Sequence, residues 1–344
     1  MNKRKSGITI APPPPVVLPL RAGAYISNFN TICGVPAEED SLLDWAVAQK
    51  LNTLSYYDMS AVLATEYNTF AAFWTKAKSR GIIFQGSERG SQNRLIGTPF
   101  NSTKNYNISK PNQALNFQFE NEFWNYNFTP PTVPDQNKYA SRALFPAVGV
   151  NLAYYQDLSD TTNSCYYQYT DASGYIELIS LPDNNGNIIY RDWIIAQQNI
   201  YQFAKANGMS SDFYIGQLHD YILNTPDTTI ALDMVKTTDR IYLSWYVSTA
   251  EFLSPDAGLN FVRTRLNLLG EAAHSIGKKI DILPIFAGTS TYMETYFATP
   301  GNTLLKAYNR ALSVYNNNPG GIITNNAKLG INFKAGFQGY AISR

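Results

Sequence analysis

The sequence is poor in the residues that commonly build metal and redox centres. It holds two cysteines, Cys33 and Cys165, and two histidines, His219 and His274, in 344 residues. Neither cysteine sits in a CxxC spacing, which argues against zinc and dithiol chemistry and leaves buried or idle thiols. Two histidines cannot make a multi-histidine centre, and no all-carboxylate cluster stands in for one, so no metal and no cofactor is expected. Charge is scarce too: 15% of residues are charged, 27 basic against 26 acidic, for a net charge of +1. That balance gives no electrostatic case for nucleic acid or anionic lipid. No apolar run is long enough to span a membrane. No GxGxxG or GxxxxGK[ST] follows a strand-like run, and no GxSxG occurs, so nucleotide-binding and nucleophile-elbow readings fall away.

What is present is ample core material, 44% hydrophobic and 14% aromatic. Basic residues open the chain, but Pro12 to Pro15 interrupt any apolar signal-peptide core. Residues 1–20 are therefore expected to form a flexible, proline-rich tail, suited to attaching the rest of the chain to a protein assembly. From Arg21 onward, short β-branched or aromatic runs alternate with helical-period segments, which is the pattern of stacked βαβ units. Strands are predicted at 21–27, 52–58, 82–88, 115–124, 213–218, 240–246, 279–286 and 334–342. Helices are predicted at 36–50, 66–80, 192–207, 229–237, 258–276 and 303–316. The stretch 89–113 is rich in Asn, Ser, Thr, Gly and Pro, so a third helix there is expected to be short or missing. The fold class that follows is α/β, a (β/α)8 TIM barrel over 21–344. It has a long insertion at 125–189 after the fourth strand, with a hairpin turn at Asp183-Asn-Asn-Gly, and no clear eighth helix.

In such barrels the chemistry sits at the C-terminal ends of the strands. The fourth strand, Leu115-Asn-Phe-Gln-Phe-Glu-Asn-Glu-Phe-Trp, places Asn116, Gln118, Glu120 and Glu122 on one face and Leu115, Phe117 and Phe119 on the other. Two carboxylates two residues apart repel, so one can hold a proton near neutral pH, as a general acid for glycosidic cleavage must. This strand resembles the catalytic fourth strand of glycoside hydrolase family 18, the chitinase and endo-β-N-acetylglucosaminidase group, whose run of alternating acidic and apolar residues ends in Asp-x-Glu. The resemblance implies Glu122 as proton donor, Glu120 at the assisting aspartate and Gln118 at the supporting aspartate, with the substrate N-acetyl group as nucleophile. A second register sets Glu120 as donor and Gln118 as assistant. It further implies an N-acetylglucosamine-containing glycan as ligand and an extracellular or particle-associated setting, although no signal peptide is recognisable.

The sequence departs from that family in naming Glu for Asp at 120, an uncharged Gln at 118 and Asn116 where glycine is usual. The third-strand Ser-x-Gly-Gly is only echoed by Gln85-Gly-Ser-Glu, and Tyr242-Leu-Ser-Trp-Tyr does not match Met-x-Tyr-Asp. Two readings therefore stand side by side: a glycosidase, and a barrel that binds glycan or a protein partner without turnover. Further candidates for the cleft are Tyr56, Asp58, Glu88, Gln217, Trp245, Tyr246, Gln338 and Tyr340, with His219 near a strand end. Their aromatic rings suit the apolar face of a pyranose and their amides and carboxylates its hydroxyls.

Overall fold

The computed structural model describes residues 21–57, 62–63, 67–89, 98–113, 115–120, 152–156, 165–170, 176–181, 201–202, 204–216, 219–220, 225–226, 228–318 and 330–340. Eight parallel strands make the frame: β1 Arg21–Ile26, β2 Thr53–Tyr56, β3 Ile83–Arg89, β4 Asn116–Glu120, β5 Ser211–Ile215, β6 Arg240–Ser244, β7 Ile280–Ala287 and β8 Gly336–Tyr340. Each pairs with the next in sequence, and β8 returns to β1 through Arg21↔Gly336, so the sheet closes into a ring. A two-residue strand, Ile331–Asn332, adds to the edge of β7. The (β/α)8 barrel is thus present.

Helices α1 Pro36–Ala48, α2 Tyr67–Ser79, α3 Thr98–Ser109, α4 Thr228–Lys236, α5 Thr249–Leu253, α6 Leu259–Ser275, α7 Glu294–Ala298 and α8 Leu304–Asn316 lie between them. Helix α1 starts with Pro36 and carries Glu38 and Glu39 in its first turn, where the missing N–H is harmless and the macrodipole favours acids. After α2, Gly81 takes φ 77°, the left-handed conformation that ends a helix at little cost to glycine. The interval between β4 and β5 contains a three-stranded antiparallel sheet, Leu152–Gln156, Cys165–Thr170 and Ile176–Leu181. Asp183 to Tyr190, where a hairpin turn was expected, lies outside the described residues.

One sequence expectation is corrected here. The stretch expected to hold a short helix or none contains α3, a full 12 residues. Its buried face is Ser102, Thr103 and Tyr106, so the small polar residues hide the apolar periodicity that normally reveals a helix. Tertiary contacts supply what local propensity lacks. Tyr106 meets the edges of Tyr67 and Phe70 of α2 at 5.5 and 5.0 Å, and its hydroxyl donates to Gln113 Oε1 at 2.6 Å. Asn107 clamps the backbone of Leu115 from both sides, accepting its N–H at 2.8 Å and donating to its carbonyl at 3.0 Å.

The two faces of the barrel wall have opposite chemistry. The outer face, under the helices, is apolar: Phe29, Tyr56, Phe70, Phe73 and Phe84 form one aromatic cluster, with Tyr56 stacked on Phe29 at 3.7 Å. The interior is polar. Asp212 of β5 is wholly buried and its Oδ2 accepts from Gln85 Nε2 at 2.7 Å, Arg240 at 2.7 Å and the Tyr242 hydroxyl at 3.3 Å, with Arg21 at 3.7 Å. Gln85 Oε1 in turn accepts from Arg21, from Tyr242 at 3.0 Å and from Ser55 at 3.3 Å. Gln338 Nε2 donates to Ser55 Oγ at 2.9 Å, and its amide oxygen occupies the space a side chain at Gly23 would need. A charge in such a place is tolerable only when paired and hydrogen-bonded, which Asp212 is.

Candidate functional site

Above this polar layer, at the C-terminal ends of the strands, the inner face turns to tyrosine. Period-two alternation sends Tyr25 of β1 and Tyr340 of β8 inward, and Tyr57 and Tyr246 follow in phase from β2 and β6. Tyr25 and Tyr57 stack at 5.3 Å, and Tyr340 meets their edges at 6.0 and 6.3 Å. Tyr246 lies 6.4 Å from Tyr340, 6.2 Å from Tyr214 and 4.9 Å from Tyr292 of the β7–α7 loop. Among the described residues the net contains phenols only, whereas the outer cluster mostly uses phenylalanine. Tyr25, Tyr57 and Tyr214 are buried, and Tyr246, Tyr292 and Tyr340 are half-buried.

Glu120, the last residue of β4, enters this net. Its Oε2 accepts a hydrogen bond from the Tyr57 hydroxyl. Burial, and then the negative charge of Glu120, push the Tyr57 phenol well above its ordinary range. Tyr25 is raised by the same two causes, and Tyr246 by burial, then Tyr214, then Glu120. These phenols therefore stay protonated, and the Tyr57 hydroxyl donates to Glu120, which favours the ionised form of that carboxyl. One layer down, Gln118 Nε2 donates to the Tyr25 hydroxyl, joining the site to the barrel interior.

Of the residues singled out in the sequence, Glu120, Tyr246 and Tyr340 meet at the mouth, and Gln118 lies directly beneath. Gln338 belongs to the polar layer of the interior, and Asn116, near the opposite end of β4, accepts the Ser210 N–H at 3.3 Å. Two expectations are corrected. Tyr56 shares the outer face with Leu54, because Thr53 and Ser55 take the inner phase, and it is buried in the Phe29 cluster. Trp245 also points outward, packing beside Phe286 and Phe333 at 6.3 and 6.0 Å and donating Nε1–H to the Ala257 carbonyl at 2.8 Å. Glu122, Asp58 and Gln217 lie outside the described residues, as do the side chains of Glu88 and His219. The sequence reading missed Tyr25, Tyr57, Tyr214 and Tyr292. The first three were accessible to a strict period-two count on β1, β2 and β5, but Tyr292 sits in a loop that carries no such signal.

Among the described residues, no group of three or more His, Cys, Asp or Glu could hold a metal ion, and no helix is long and apolar enough to cross a membrane. No family model matches the chain, and no curated protein does. Solved structures resemble it at the level of the backbone. A β-mannanase from the blue mussel Mytilus edulis is 11% identical, with 94% of this chain and 87% of that one covered at a TM-score of 0.48. The C-terminal domain of a chitinase described as putative, from Desulfitobacterium hafniense, is 10% identical over 78% of this chain and 66% of that one, at 0.38. A D-psicose 3-epimerase from Clostridium cellulolyticum H10 is 11% identical over 94% and 84%, at 0.38. At these values the fold rests on the strand pairings themselves.

Proposed function

We propose that this chain is a carbohydrate-acting barrel that binds N-acetylglucosamine-containing glycans in its tyrosine-lined mouth and cleaves them with Glu120, at the end of β4, and Glu122. The observation that carries the reading is Glu120 held by the Tyr57 phenol within a net of tyrosine rings. Flat phenols suit the apolar faces of pyranose rings, and their hydroxyls suit the rim. The Tyr57 bond supports the register with Glu120 as assistant and Glu122 as donor. A hydrogen bond donated to a carboxylate favours its charged form, which fits an assistant better than a proton donor. Glu122 is then the acid: it protonates the glycosidic oxygen, while the acetamido carbonyl oxygen attacks the anomeric carbon and the leaving alcohol departs. Glu120 accepts the acetamide N–H and steadies the positive charge of the cyclic intermediate. Water then opens that intermediate at the anomeric carbon and returns a proton to Glu122.

A second reading, binding without turnover, is favoured by Gln118. It stands where the family carries a supporting aspartate, has no charge to lend Glu120, and is bonded to Tyr25 instead. In either reading residues 1–20 are proposed to attach the barrel to a larger assembly. Calorimetry and product analysis with chitooligosaccharides and N-glycan cores test both. The glycosidase reading expects cleavage that is lost in Glu122→Gln with binding kept, and the binding reading expects affinity without products. Neither affinity nor cleavage across that panel would end the proposal.

A further inference from the structure

A second site is suggested away from the mouth, where the start of α6 meets the last turn of α8. The two helices leave a groove of about 360 Å³, with Leu259 and Val314 as its apolar wall and Arg263, Asp256 and Asn318 as its polar one. That volume is within the usual range for small-ligand sites. The polar atoms are unevenly satisfied. Asp256 accepts neutral donors, Oδ1 from the Ser254 hydroxyl at 2.6 Å and the Gly258 N–H at 3.0 Å and Oδ2 from the Asn260 amide, and its charge also acts on Arg263. By contrast, Arg263 Nε and Asn318 Nδ2 are buried and have no hydrogen-bond partner. Buried donors left unpaired are costly and uncommon in folded proteins. Both line the same groove, one is part of a guanidinium, and the neighbouring carboxylate is already occupied by donors of its own.

We infer that this groove binds a ligand carrying an oxyanion, either a carboxylate or a tetrahedral sulfate or phosphate, with Arg263 and Asn318 as its donors. Guanidinium N–H groups make their strongest hydrogen bonds to such oxygens. The apolar wall would accommodate the ligand's carbon skeleton. The site shares no residue with the mouth and does not depend on the glycan reading.

The test is an NMR titration of the full chain with acetate, sulfate and phosphate, each against chloride at equal ionic strength. It follows the Arg263 Nε–H, assigned by its loss in Arg263→Gln, and the Asn318 side-chain amide. Both signals should move saturably. A response to acetate alone would identify a carboxylate ligand, and a response to sulfate and phosphate a tetrahedral one. Arg263→Gln should weaken binding at least about tenfold and Asn318→Ala at least about threefold, in keeping with charged and neutral hydrogen bonds. Asn318→Ala, just beyond the end of α8, keeps the test valid should Arg263→Gln perturb the fold, and Glu120→Gln should leave the affinity unchanged. No movement beyond that caused by chloride, or wild-type affinity in both groove variants, would overturn the inference.

Discussion

Replacing Asp212 should be among the most damaging single changes available to this barrel. Its carboxylate is wholly buried, and its Oδ2 meets Arg240 at 2.7 Å and Arg21 at 3.7 Å and accepts from Gln85 and Tyr242. In Asp212→Ala two guanidinium groups lose their shared counter-charge while Gln85 and Tyr242 each lose an acceptor. Breaking a buried ion pair from one side costs about 3–5 kcal/mol, a large part of the roughly 5–15 kcal/mol that holds an ordinary domain together. With about 2.1 cal/mol/K of unfolding entropy per residue, 344 residues give roughly 0.7 kcal/mol/K, so a loss of about 4 kcal/mol lowers Tm by roughly 6 °C. Asp212→Asn keeps the shape and removes only the charge, and should show most of the same loss. Urea unfolding followed by circular dichroism, with a thermal scan beside it, measures both. An Asn variant as stable as the parent would refute the reasoning, since shape and neutral hydrogen bonds would then suffice.

Other expectations follow from single contacts. The Tyr56 hydroxyl is buried without a partner, so Tyr56→Phe should leave glycan affinity unchanged and raise unfolding stability by about 1 kcal/mol, as read by urea titration. Tyr57→Phe should do the opposite at the site, weakening chitooligosaccharide binding or turnover roughly tenfold by releasing Glu120, with little effect on Tm. Glu251 closes a capping box with Ser248, whose N–H and hydroxyl hold its carboxyl below the ordinary 4.5. A depressed acid stabilises the fold above its unfolded pKa and loses that contribution as pH falls through the folded one. The stability difference between the parent and Glu251→Gln should therefore be constant near neutrality and shrink as pH drops below about 4.5. A difference independent of pH would show the box to be electrostatically silent.

The strand and helix order was largely legible because most of its elements carry their own period. Leu259 to Ser275 keeps an apolar stripe at helical spacing, and Ile282 to Ala287 is a continuous apolar run. Helix α3 was not legible, since Ser102 and Thr103 fill core positions through tertiary fit and leave no hydrophobic periodicity. At the site, the inner direction of Glu120 and Gln118 was readable from alternation within one strand. Tyr56 and Trp245 stand at strand ends but in the outward phase, so position along the strand alone does not place them. Their neighbours Tyr57 and Tyr246 hold the inward phase. The ion network of Arg21, Asp212 and Arg240 could not be read at all, because its members are far apart in sequence and meet only when β8 closes on β1.

The most direct test of the central claim is saturation-transfer NMR with chitotetraose as ligand, irradiating the aromatic protons of the full chain. Transfer to the axial C–H protons of the pyranose rings is predicted for the parent, falling severalfold in Tyr246→Ala and in Tyr340→Ala while Tyr56→Phe transfers as the parent does. Equal transfer in all of these proteins, or none in the parent, would contradict a tyrosine-lined sugar site at the barrel mouth.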